Sequence, residues 1–294
     1  MGGALGLGGA LEVWIVDEEG QRVHTIRDAT APDWSPDGKR LAYTKVVPNP
    51  PNHIYEQIIL DLDSGSTISI TPPRPMNLSV GQGPRWSADG TLLAYYDAAN
   101  VVNLVRADGR PGPSLNVCAD PCAQIENLTW SPEGHRLAWV AGEWGGISWL
   151  VVYDVDLERE VSRVRLPEII SHGSTRDTAL TSCPTSSFYR SLVWLDGSTI
   201  LVSSPCAAMN NNGVWRIDAS GQSSLLLSLW QAGTPEVSPD GGYVAVDTSL
   251  WLEISPPSGR AEIRGRHIWL TNVQGTSWYL IAEGRQPAWQ PTKK

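Results

Sequence analysis

The chain has 294 residues, 22 Lys or Arg against 31 Asp or Glu, and a formal net charge of −9. An acidic chain with only four Lys and no basic run lacks the cations that displace phosphate counterions, which argues against nucleic-acid binding. It has no run of about 18 apolar residues, so no membrane-spanning helix is expected, while 14 Trp against a single Phe is an unusual aromatic usage.

In chain order, Met1 to Ala10 is rich in Gly, Ala and Leu but short and without a basic n-region, so it does not read as a signal peptide. A leader stub, a cloning remnant and an irregular inner strand all stay open. Val13-Trp14-Ile15-Val16-Asp17-Glu18-Glu19-Gly20 follows, a β-branched strand ending in an Asp/Gly turn. Trp34-Ser35-Pro36-Asp37-Gly38-Lys39-Arg40-Leu41-Ala42-Tyr43 comes next. Its Pro presets φ at the second turn position, its Gly supplies a left-handed residue, and Leu-Ala-Tyr reads as a buried strand.

Both phrases then alternate along the chain. The first returns at Trp86, Trp130, Trp194, Val237 and Trp289, at intervals of 52, 44, 64, 43 and 52 residues from Trp34 onward. The second returns around Ile58–Gly65, Val102–Gly109, Leu150–Asp156, Val214–Gly221 and Ile268–Gly275. Such a period suits a four-stranded unit with loops of varying length. The chain begins with a second phrase and ends with a truncated first one, so each end holds what the other lacks. The expected fold is therefore all-β: a six-bladed propeller of four-stranded blades, its ring closed by joining N- and C-terminal strands in one blade. It forms one domain over residues 1–294. Trp34, Trp86, Trp130, Trp194 and Trp289 hold one repeat position each and are expected to pack between blades.

The Trp-Ser-Pro-Asp-Gly-x-x-Leu-Ala-Tyr phrase and its following Asp-x-x-Gly turn resemble the repeat of TolB-type, WD-repeat-like six-bladed propellers. The resemblance covers nearly the whole chain and implies the fold. It implies less about function, since that family includes protein-binding periplasmic modules and propeller domains attached to peptidases.

The four cysteines allow three pairings. Cys118 and Cys122 bracket Ala-Asp-Pro, a turn suited to a small loop disulfide. Cys183 and Cys206 flank an expected antiparallel pair, so their Cα atoms can approach within disulfide range. Both bonds are expected, which points to an oxidising compartment, either periplasmic or extracellular.

The connections sort by face. Turns after the first and third strands are uniformly short. Long ones fall on the opposite face, at 45–53, 71–84, 110–127, 166–190, 203–213 and 247–266, where binding usually resides. The contact candidates there are Trp144, Tyr189, Arg190, Trp251, Arg264 and Arg266, because aromatic and Arg side chains dominate binding hot spots. His53 and His172 join them, and His267 borders the same face. Asn77 and Asn127 match the glycosylation acceptor pattern. No nucleophile elbow, HExxH helix, Walker loop or dinucleotide fingerprint is present, so no catalytic residue, metal or cofactor is assigned.

The leading expectation is a non-enzymatic, secreted or envelope propeller that binds a protein, peptide or glycan through its long-loop face. The alternatives are a hydrolase or lyase with its site at the channel mouth, or a repeating surface subunit. Charged crossover ends with shifted pKa values would favour the enzyme.

Overall fold

The computed structural model describes residues 2–5, 11–17, 21–49, 52–71, 74–75, 83–97, 101–115, 124–142, 148–166, 191–204, 213–218, 220–228, 232–254, 261–283 and 287–290. Sheet one holds β1 (Gly2–Leu5), β2 (Glu12–Val16) and β3 (Arg22–Arg27). Sheet two holds β4 (Ala29–Trp34), β5 (Arg40–Asn49), β6 (Asn52–Asp61) and β7 (Thr67–Ser69), with β8 (Arg74–Pro75) added to the far end of β6. Sheet three holds β9 (Arg85–Trp86), β10 (Leu92–Tyr96), β11 (Val102–Arg106) and β12 (Pro111–Leu115). Sheet four holds β13 (Gln124–Trp130), β14 (Arg136–Gly142), β15 (Ser148–Asp154) and β16 (Arg159–Arg165). Sheet five holds β17 (Ser191–Trp194), β18 (Thr199–Ser204), β19 (Gly213–Asp218) and β20 (Ser223–Ser228). Sheet six holds β21 (Ala232–Val237), β22 (Tyr243–Ile254), β23 (Ala261–Asn272) and β24 (Trp278–Glu283).

The fold is thus an all-β propeller of antiparallel four-stranded blades. The expectation of six such blades is corrected. Among the described residues, five sheets have their four strands and sheet one has three. The difference lies in sheet one. There β1 takes the place beside β2, and the last repeat phrase contributes a single β-bridge at Ala288 among the described residues. The C-terminal segment nevertheless reaches sheet one: Ala288 is buried in one cluster with Val13, Ile15, Ala29 and Trp34.

The repeat turn explains its own residues. In Ser35-Pro36-Asp37-Gly38 the Gly38 N–H donates to the Ser35 carbonyl at 2.8 Å, with Gly38 at φ 68°. The Ser35 hydroxyl donates to the Asp37 carboxylate and accepts the Arg40 N–H. The same arrangement recurs at Ser87/Asp89/Gly90 and at Ser238/Asp240/Gly241. Each hairpin is therefore closed by a side chain as well as by backbone.

The core lies between blades rather than at one centre. Sheets two and three meet through Ala42, Ile59, Trp86 and Leu93, and sheets four and five through Ala138, Leu150, Trp194 and Ile200. Trp34 is buried between sheets one and two, Trp130 between three and four, and Trp86 and Trp194 in the two seams just named. The Trp130 indole also donates to the Arg85 carbonyl of the preceding sheet at 2.9 Å.

Two of the expected long loops are mostly strand. β5 and β6 pair over ten residues each, out to Asn49 opposite Asn52. β22 and β23 pair over twelve each, out to Ile254 opposite Ala261. Prolines 50–51 and 256–257 make these segments read as loop, while the described strands run to Asn49 and Asn52 and to Ile254 and Ala261.

Candidate functional site

Within each inner strand, side chains alternate between the two faces of the blade. The anchor Trp faces one neighbour, so the residue before it faces the other. That column reads Asp33, Arg85, Thr129, Val193, Glu236 and Ala288 in chain order. Three of its members are charged, and they meet. The Arg85 Nη1 donates to the Glu236 Oε1 at 3.2 Å and lies 3.5 Å from the Asp33 Oδ1. The other Asp33 oxygen accepts the Trp86 N–H at 2.6 Å, satisfying a donor on the unpaired inner edge of β9.

This contact crosses the ring. Sheet three touches sheets two and four, sheet four touches five, and five touches six. On the other side sheet two touches sheet one. The C-terminal segment links sheet one to sheet six, because Ala288 packs with Val13 and the Trp289 indole donates to the Glu236 carbonyl. Arg85 and Glu236 therefore belong to opposite sheets, with two sheets between them either way round. Their side chains stay 16% exposed and that of Asp33 stays 21% exposed, so the cluster is deep but in contact with water.

The electrostatics follow from two carboxylates sharing one guanidinium. Burial pushes the Glu236 carboxyl up to about 7, and the Asp33 and Asp247 charges push the same way, against the pull of Arg85. Burial also raises Asp33, opposed by Arg85 and the Trp86 N–H. For Arg85, burial disfavours the charge, but Glu236 and Asp33 more than restore it, so its pKa is raised. Asp247 accepts the Thr234 N–H where β21 is bulged, and Gly233 there lies against the Asp247 carboxylate, which a Cβ would push aside. Glu236 thus exchanges a proton near neutral pH, the property of an acid–base group or a charge-coupled tie.

A second polar depression, of about 600 Å³, lies on the short-turn face between sheets four and five. His135 there approaches Asp156 at 2.7 Å, both about two-thirds exposed, so this contact contributes little energy.

The sequence-predicted contacts distribute unevenly. His53 lies in β6 opposite Pro48; Trp251 is paired with Arg264, and Arg266 with Ser249, in the long β22–β23 hairpin. Trp144, Tyr189, Arg190 and His172 lie outside the described residues, as do Cys118, Cys122, Cys183 and Cys206 with both expected disulfides. His267 is buried in β23 between Thr248 and Glu283, on a different sheet from His53. Sequence reasoning missed Asp33, Arg85 and Glu236. The available signal was positional: each directly precedes a repeat anchor.

No family model and no curated relative matches the chain. Solved structures do. The TolB of Acinetobacter baumannii is 20% identical at a TM-score of 0.62, over 96% of this chain and 63% of its own. The chain thus spans less than two thirds of that protein. A putative TolB of Agrobacterium tumefaciens is 17% identical at 0.63, over 99% and 95%. An oligogalacturonate lyase of Vibrio parahaemolyticus is 11% identical at 0.55, over 96% and 74%. These likenesses establish the TolB-like propeller fold.

Proposed function

We propose that this chain is a non-enzymatic propeller of the cell envelope or exterior that binds a protein, peptide or glycan on the face carrying its long hairpins. The observation that carries this reading is the pair β5–β6 and β22–β23, both extended beyond the other blades and both joining second to third strands, hence on one face. Four contact candidates, His53, Trp251, Arg264 and Arg266, ride on them. Likeness to TolB structures supports a binding role, and the resemblance of the repeat supports an extracytoplasmic place. The Arg85–Glu236 pair also joins sheets three and six across the ring.

A second reading, a hydrolase or lyase, is favoured by one observation: Glu236, titrating near 7, is poised as a general acid or base. Against it, both carboxylates are already engaged by Arg85.

Photo-crosslinking side chains placed at His53 and Trp251, with Asp37 and Asp240 of the short-turn face as controls, test the binding reading in cells of the source organism. Discrete adducts from the hairpin positions alone are expected. Equal adducts from both faces, or none, would overturn it. Cleavage of an oligosaccharide panel that is lost in Glu236→Gln would replace it with the second reading.

A further inference from the structure

Asp33 and Glu236 sit in β4 and β21, the inner strands of the two blades that carry the long hairpins. Arg85, from a third blade, engages both carboxylates at 3.5 and 3.2 Å. The two hairpin-bearing blades are thus tied through one guanidinium, with sheet one lying between them. The other members of the same column, Thr129, Val193 and Ala288, are uncharged and add nothing to this tie.

We propose that Asp33, Arg85 and Glu236 form a proton-operated latch that sets the spacing of the two long hairpins. The proposal rests on reading the hairpin face as the binding surface. The charged groups acting on Glu236 are Arg85 from β9, Asp33 from β4 and Asp247 from β22. With Glu236 ionised, Arg85 is drawn between sheets two and six and holds them together. A proton on Glu236 cancels that charge. Arg85 then belongs to Asp33, and the link to sheet six falls to a neutral-acceptor hydrogen bond of roughly half the strength. Burial and two neighbouring carboxylates favour the proton while one guanidinium opposes it, so the change falls near neutrality rather than in acid.

The test is a distance measurement by double electron–electron resonance on the free protein, with nitroxides on unnatural ketone side chains at Asn49 in β5 and Glu253 in β22. The distribution is expected to be longer and broader at about pH 5.5 than at about pH 8.5, with its midpoint near 7. Glu236→Gln is expected to show the acid-form distribution at both pH values. Asp33→Asn removes a neighbouring negative charge and is expected to move the midpoint to lower pH. Identical wild-type distributions across this range, or a change that persists in Glu236→Gln, would overturn the latch. No partner is needed, so failure here leaves the crosslinking result intact, and the reverse holds as well.

Discussion

Burial, with the neighbouring Asp33 and Asp247 charges acting in the same direction against Arg85, pushes the Glu236 carboxyl up to about 7 from the usual 4.5. The folded chain therefore keeps a proton that the unfolded chain releases as pH rises through 4.5. Stability from this group is fully present below that value and is lost as pH rises through 7. Glu236→Gln removes the titration. Urea unfolding is expected to show the variant gaining on the wild type between about pH 5 and about pH 8, by on the order of a few kcal/mol. Parallel pH profiles for the two proteins would count against the assignment.

The element scale is governed by seams between blades, where the repeated Trp does two jobs. Trp130 fills the seam between sheets three and four and donates its indole N–H to the Arg85 carbonyl. Trp130→Ala removes both and is expected to cost about 3–5 kcal/mol in chemical unfolding. Trp130→Phe keeps most of the volume and is expected to cost less, the loss being dominated by the unsatisfied Arg85 carbonyl at about 1–3 kcal/mol. Equal losses for the two would place the whole effect in the hydrogen bond. The hairpins obey different rules. Beyond the seam, β22 and β23 continue as a two-stranded ribbon paired to itself, so their length is free to vary without disturbing neighbouring blades.

For the whole molecule, the chain ends decide how the ring is held. Ala288 packs with Val13 and Ile15, Trp289 reaches the Glu236 carbonyl, and the Gln290 amide donates to the Gly38 carbonyl at 3.1 Å. Contacts between residues 252 apart in sequence close a long loop, at a large entropic cost in folding but with strong constraint on the folded ring. Deleting residues 287–294 is expected to lower stability by about 3–5 kcal/mol, the scale of losing a packed Trp. The sheet signal in circular dichroism should be kept. Unchanged unfolding midpoints would show that sheet one is held without this segment.

What the sequence determined by itself is whatever depends on near neighbours. The Ser-Pro-Asp-Gly turns, the left-handed glycines, the strand alternation and the buried Trp positions follow from local φ preference and period-two patterning, and all were legible. The blade count was legible only in part: the truncated phrase at Trp289 was joined to the N-terminal strands as one complete blade, while the described residues give that sheet three strands. Lys45–His53 and Asp247–Arg266 read as loops because their prolines dominate the local signal, yet pairing across the hairpin carried strand almost to the tips. The axial cluster was the least legible. Asp33, Arg85 and Glu236 are separated by 52 and 151 residues, and nothing in their own neighbourhoods calls for partners. Only the curvature of the ring brings three inner strands to one axis, and only burial there turns an ordinary glutamate into a group that titrates near neutrality.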